Sequence, residues 1–266
     1  MKLTLCNGNT AYCGSIQTAL DPAGEVSGLI TTSFEFYPHR NAGAAAGTIV
    51  AEEGGPGYST TGTRYYYLGL FLPLMDQRDL LLVDKRGTGK SQYINCPSLQ
   101  VDGGWTFASI AACGAQLGPS SDLYGSGLAA DDLAAVLDAL TVDKIDLYGD
   151  SYGSYFSQAF AGRYPARLRS LVLDGAYPVA GLNPWYPELT FAMQNAFNVT
   201  CARNANCAVS AGTSMDRNTA LLNYLRATPL TGSAYDGNGQ LRSVSADPSS
   251  LAFLFWSNGL NQVLYH

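Results

Sequence analysis

Gly149-Asp150-Ser151-Tyr152-Gly153 sets a serine at the centre of a glycine-flanked pentapeptide. A serine hydroxyl attacks a carbonyl only if its surroundings aim it, take its proton and stabilise the oxyanion that forms. The flanks here meet the first demand. Lys144-Ile145-Asp146-Leu147-Tyr148 is a β-compatible run, and Ser154 to Tyr164 carries Tyr155, Phe156, Ala159 and Phe160 at helical spacing before Pro165 ends it. Strand, sharp bend and helix make a nucleophile elbow. The serine at such a bend is strained, so the residues two before and two after it must be small. The helix start behind it offers open N–H groups and a positive dipole end.

Two further blocks precede it. Thr48-Ile49-Val50-Ala51 reads as a strand and leads into Glu52-Glu53-Gly54-Gly55-Pro56-Gly57. A glycine turn after a strand brings main-chain N–H groups close to a ligand. In the elbow architecture one oxyanion donor belongs to the residue after the serine, here Tyr152, and the other to such a turn, here Gly54 or Gly55. Asp79-Leu80-Leu81-Leu82-Val83-Asp84 has the continuous apolar centre of a buried parallel strand, followed by Lys85-Arg86-Gly87-Thr88-Gly89-Lys90-Ser91. The Gly-Lys-Ser ending is not a phosphate loop, because Asp84 stands where that motif needs glycine.

Taken in order, GGPG, DKRGTGKS and GDSYGSYFSQAFAGRYPARLRSLVLDGAYP resemble the α/β-hydrolase family of proline iminopeptidases and secreted tripeptidyl aminopeptidases, over roughly residues 45–180. The resemblance implies an α/β-hydrolase fold: a mostly parallel sheet with a helical lid after the strand Ser170–Asp174. It implies Ser151 as nucleophile and the N–H groups of Tyr152 and Gly55 as the oxyanion hole. The activity implied is that of a serine hydrolase of the aminopeptidase type, freeing residues or tripeptides from peptide N-termini through an acyl-enzyme. An esterase of the same fold and a truncated, non-catalytic hydrolase-fold protein are the alternatives. The family commonly has histidine before GGPG, where this chain has Glu53.

In the family, an acid and a base follow the lid on two later strands, in the order Ser, Asp, His. Only 88 residues follow Pro178 here, and they read as lid: helices over 187–200, 218–226 and 250–265, with a short strand at 240–244. The expectation is a chain that stops inside the lid, with residues 1–178 as the N-terminal part of the core and 179–266 as the lid segment. The only histidines are His39 and His266. His39 precedes the serine, against the chain order of the fold, and His266 ends a helical pattern, so both read as surface or terminal residues. Asp174 reads as a structural turn residue.

The remaining elements position these blocks. Residues 1–27 form a polar, cysteine-bearing lead, and Leu29–Phe36 reads as an edge strand. Tyr65-Tyr66-Tyr67 belongs to a helix side packed on the sheet, residues 100–123 to a loop-rich excursion, and Gly127–Leu140 to a helix carrying Leu133, Val136, Leu137 and Leu140. Strand-helix alternation argues a mostly parallel sheet. The net charge of −6, with no basic stripe, argues against nucleic acid as a partner, and no apolar run is long enough to span a membrane. The expected partners are a peptide or ester substrate and a C-terminal segment absent from this chain; no cofactor and no metal are expected. Six cysteines fall into the local pairs Cys6/Cys13, Cys96/Cys113 and Cys201/Cys207. Three disulfides, and hence a secreted, extracellular protein, are expected.

Overall fold

The strands at the centre of the chain carry apolar side chains on both faces, so each needs a layer of helix above and below it. The computed structural model describes residues 3–8, 10–101, 106–180, 187–203, 205 and 214–257. The chain divides into two compact units, Met1–Gly181 and Leu182–His266.

Among the described residues, the first unit holds seven strands: β1 (Thr4–Cys6), β2 (Ala11–Ala19), β3 (Leu29–Tyr37), β4 (Thr48–Glu52), β5 (Asp79–Val83), β6 (Ile145–Asp150) and β7 (Leu168–Asp174). They form one sheet in the order β1-β2-β3-β5-β4-β6-β7. β5, β4, β6 and β7 run parallel, while β1, β2 and β3 are joined to each other and to β5 in antiparallel fashion. Four helices accompany them: α1 (Arg64–Phe71), α2 (Phe107–Leu117), α3 (Ser126–Ala139) and α4 (Tyr152–Arg163). Residue alternation along the strands sorts the core into two layers. Val50, Leu81, Val83 and Leu147 pack with Leu133, Leu137, Phe156 and Phe160 of α3 and α4. Ile49, Ala51, Leu80, Leu82 and Tyr148 pack with Tyr67, Phe71 and Met75 on the other side.

Three expectations are corrected. Leu29–Phe36 is not an edge strand: β3 lies between β2 and β5, because the lead supplies β2 as a partner along eight residue pairs. Residues 100–123 are not mainly loop: α2 and a 3-10 turn (Gly118–Tyr124) occupy most of the stretch, and Thr106 caps α2 by accepting the Ser109 N–H. The tyrosines of α1 split: Tyr67 is buried, while Tyr65 and Tyr66 are exposed.

The second unit contains α5 (Pro187–Arg203), α6 (Ser214–Ala227), a hairpin of β8 (Leu230–Tyr235) and β9 (Leu241–Ala246), and α7 (Pro248–Ser257). It is therefore not wholly helical: the expected strand at 240–244 is β9, and β8 pairs with it. The part of the last expected helix beyond Ser257 lies outside the described residues. No helix among the described residues is long and apolar enough to cross a membrane. Cys6 pairs with Cys13, and Cys96 with Cys113, at disulfide bonding distance. Cys201 is likewise bonded, and Cys207, its expected partner, lies outside the described residues.

Candidate active site

β6 ends at Asp150 and α4 starts at Tyr152, so Ser151 carries the whole reversal of direction between them. Its backbone stands at φ 51° and ψ −122°, a conformation that side chains disfavour. The surroundings hold it there. The Ser151 N–H donates to the Asp174 carbonyl at 2.8 Å, and the Ser151 carbonyl accepts from the Ser154 N–H at 3.0 Å and the Ser154 hydroxyl at 2.6 Å. Ser154 Oγ in turn accepts the Tyr177 N–H, tying the segment after β7 to the bend.

The flanking glycines are steric necessities. A Cβ on Gly149 would fall 2.2 Å from the Gly153 carbonyl oxygen, and one on Gly153 would fall 2.1 Å from the Glu52 carbonyl oxygen. The turn after β4 is pressed against the same place. A Cβ on Gly54 would lie 2.9 Å from Ser151 Cβ and 3.3 Å from its Oγ. The sequence blocks around 54 and 151, about a hundred residues apart, thus meet at one point. The Ser151 side chain is exposed there, at the carboxyl ends of parallel strands where open α/β sheets carry their ligands.

Main-chain donors belong to the segments that meet here. Tyr152 opens α4, and the first N–H groups of a helix have no acceptor within it. The Gly54 N–H is engaged by Glu53 Oε1 at 3.0 Å. Gly55 follows with φ 113°, a conformation open to glycine alone. The Tyr152 side chain stacks on Tyr155 and shares a 2.7 Å hydrogen bond with Ser126, which fixes the start of the helix.

Carboxylates crowd the same end of the sheet. Asp150 Oδ1 accepts the Tyr67 hydroxyl at 2.7 Å. Burial, reinforced by the charge of Glu53, raises the Asp150 pKa, while the Tyr67 bond opposes the rise. Burial and the same bond to Asp150 push the Tyr67 phenol up in turn. Glu52, only 1% exposed, pairs with Lys85 Nζ at 3.2 Å. Burial pushes its carboxyl up to about 7 despite that ammonium. Sequence reading missed both the Asp150–Tyr67 bond and the Glu52–Lys85 pair. The sole signal for the second was a charged residue ending an otherwise apolar strand.

His39 stands apart from this cluster. His39 Nδ1 lies 2.7 Å from Asp79 Oδ1, and Nε2 lies 3.0 Å from the Gly43 carbonyl. The Asp79 bond raises its pKa. The register aligns Thr48 with both Asp79 and Ile145, so His39 sits where the parallel strands begin. Ser151 lies six residues beyond Ile145, which is about 20 Å along the strand. His266 lies outside the described residues. Asp174 accepts the Tyr148 hydroxyl at 2.8 Å through Oδ2, and through its carbonyl it holds Ser151.

The family model for the alpha/beta hydrolase fold matches residues 47–258. The chain belongs to the α/β hydrolase fold family. Among curated relatives, this chain is 31% identical over 234 residues to serine protease Hip1 of Mycobacterium tuberculosis and of Mycobacterium bovis; the match covers 76% of this chain and 43% of that protein. The chain thus spans less than half the length of those relatives. Among solved structures, proline iminopeptidase of Mycobacterium smegmatis aligns at 18% identity and a TM-score of 0.44, covering 95% of this chain and 70% of that one. A thermophilic esterase from Thermogutta terrifontis aligns at 21% identity and a TM-score of 0.41, covering 71% and 53%.

Proposed function

We propose that this α/β hydrolase carries the nucleophile and oxyanion half of a serine hydrolase of the aminopeptidase type. One observation carries the reading: Ser151 is held at φ 51° on the bend between β6 and α4, against Gly54. In the reaction, Ser151 Oγ bonds to the scissile carbonyl carbon and its proton leaves to a base. The C–N bond then breaks as the departing amine gains a proton, and water releases the acyl group. The N–H groups of Tyr152 and Gly55 receive the oxyanion; the Gly54 N–H, already held by Glu53, is the poorer candidate. The carboxylates of Glu53 and Asp150 beside the bend favour a substrate with a free, cationic N-terminus. The resemblance to a serine protease over most of the chain supports peptide rather than ester as the substrate.

A second reading, a hydrolase fold without turnover of its own, draws on His39. The one described histidine is committed at the far end of the strands, so these residues bring no imidazole to Ser151. The chain on its own is therefore expected to cleave slowly, since losing the base costs orders of magnitude in rate. The acid and base are left to residues other than the described ones, and the disulfides support secretion as the protein's destination.

The test is a panel of N-terminally free peptides, the same peptides blocked at the N-terminus, and acyl esters, run with Ser151→Ala as control. Slow cleavage of free peptides alone, abolished by Ser151→Ala, supports the aminopeptidase reading. Equal cleavage of blocked peptides, or a preference for esters, overturns it.

A further inference from the structure

Lys85 is a buried cation whose contacts lead straight to the turn facing Ser151. Its ammonium makes two polar contacts, to Glu52 Oε2 at 3.2 Å and to the Glu53 carbonyl at 2.9 Å. It also lies 6.0 Å from the Tyr152 ring centroid and 5.7 Å from that of Phe156, between the glycine turn and the first turns of α4. Packing at this place does not call for the two charges. Apolar side chains of similar volume stabilise such a site as well or better, because taking two charges out of water is costly. What the pair provides is a fixed donor for one carbonyl.

That carbonyl matters because of what shares its peptide plane. The Glu53 C=O and the Gly54 N–H are opposite ends of one planar unit, so clamping the first orients the second. The unit leads into the glycine whose Cβ position lies 3.3 Å from Ser151 Oγ, and a Cβ on Gly153 would lie 3.3 Å from the Glu53 carbonyl oxygen itself. Resting on the reading of Ser151 as nucleophile, we infer that Lys85 is a positioning residue: anchored on Glu52, it clamps the Glu53–Gly54 peptide and so holds the oxyanion turn against Ser151. Lys85 itself does not touch the reacting atoms. The charged and titratable groups that face Glu52 in this arrangement are Lys85, Asp84, Asp150 and Tyr152.

The experiment uses the full chain and a fluorophosphonate probe. Ser151 Oγ forms a bond to phosphorus, fluoride leaves, and the serine proton passes to solvent; the modified residue is located by peptide mass spectrometry. Maximal labelling rate and half-saturating probe concentration are measured separately. Lys85→Met, which keeps length but has no donor, is expected to lower the maximal rate by about 10–100-fold, with half-saturation unchanged, as for a displaced oxyanion donor. Lys85→Gln, which keeps a neutral N–H for the Glu53 carbonyl, recovers most of the rate. The double variant Glu52→Gln/Lys85→Met removes the lone buried carboxyl, so its thermal midpoint returns towards that of the parent while labelling stays slow. Parental labelling by a folded Lys85→Met or by the double variant overturns the inference. A parent never labelled at Ser151, whether labelled elsewhere or not at all, overturns the nucleophile reading itself, and the inference with it.

Discussion

Gly153 faces the Glu52 carbonyl oxygen so closely that a Cβ on the glycine would fall 2.1 Å from it. The first turn of α4 and the end of β4 therefore meet main chain to main chain at this point. Gly153→Ala must push the helix off the strand or tilt its first turn. We expect a loss of about 1–3 kcal/mol, the usual cost of overpacking a tight interior, read as a lower urea midpoint with an unchanged slope.

Ser151 stores strain for the sake of its hydroxyl's position. At φ 51° and ψ −122° a side chain costs energy that glycine does not incur. Ser151→Gly is expected to raise stability by about 1 kcal/mol while abolishing fluorophosphonate labelling at this position. A thermal melt paired with the labelling assay checks both. A destabilised Ser151→Gly would show that the serine side chain holds the bend rather than being held by it.

Arg86 and Asp132 form a second buried pair, remote in sequence and bidentate, with Nε and Nη2 at 2.7 and 2.8 Å from the two carboxylate oxygens. Arg86 Nη1 also binds the carbonyls of Leu20 and Leu123, and Thr18 donates to Asp132. β2, the loop after β5, the 3-10 turn and α3 thus converge on one guanidinium. Asp132→Asn leaves that cation uncompensated and is expected to cost about 3–5 kcal/mol. Chemical denaturation measures it; a change below about 1 kcal/mol would place the pair among exposed ones in energetic terms.

Glu52 makes stability depend on pH in a definite direction. Its ordinary pKa of 4.5 rises to about 7 in the folded chain because burial disfavours the carboxylate. The folded state therefore binds this proton more tightly than the unfolded state. The contribution is complete below pH 4.5, shrinks as pH climbs towards 7, and is gone above it. Glu52→Gln removes that slope. Urea midpoints at intervals from about pH 4 to 8, compared between parent and variant, give the difference curve; a flat difference across this window would refute the assignment.

The elbow was legible in the sequence because its determinants are local: a strand, two glycines, a serine and a helix within twenty-odd residues. The meeting of Gly54 with Ser151 was legible through the resemblance, since no periodicity links residues so far apart. The sheet's antiparallel half was harder to see. β2 reads as polar lead because Gly14 interrupts it, yet Gly14 is what the packing needs: a Cβ there would lie 2.5 Å from the Phe34 ring. Once β2 is missed, β3 looks like an edge. α2 was hidden by small residues, with Ala111, Ala112, Cys113 and Gly114 in its middle. The Lys85 clamp was invisible because its two partners belong to a strand end more than thirty residues earlier, and a lysine beside an arginine reads as solvated charge until the fold buries it.

β7 has β6 as a hydrogen-bonded neighbour on one side, and it is the last strand in the order of the sheet. Among the described residues no strand pairs with its outer flank, and Val172 is half out in solvent. Such a rim is a template: any extended peptide of compatible register can zip onto it, including the same rim of a second molecule. An extended strand added there would pair with β7 in register, and a lysine or proline introduced along that flank would block it.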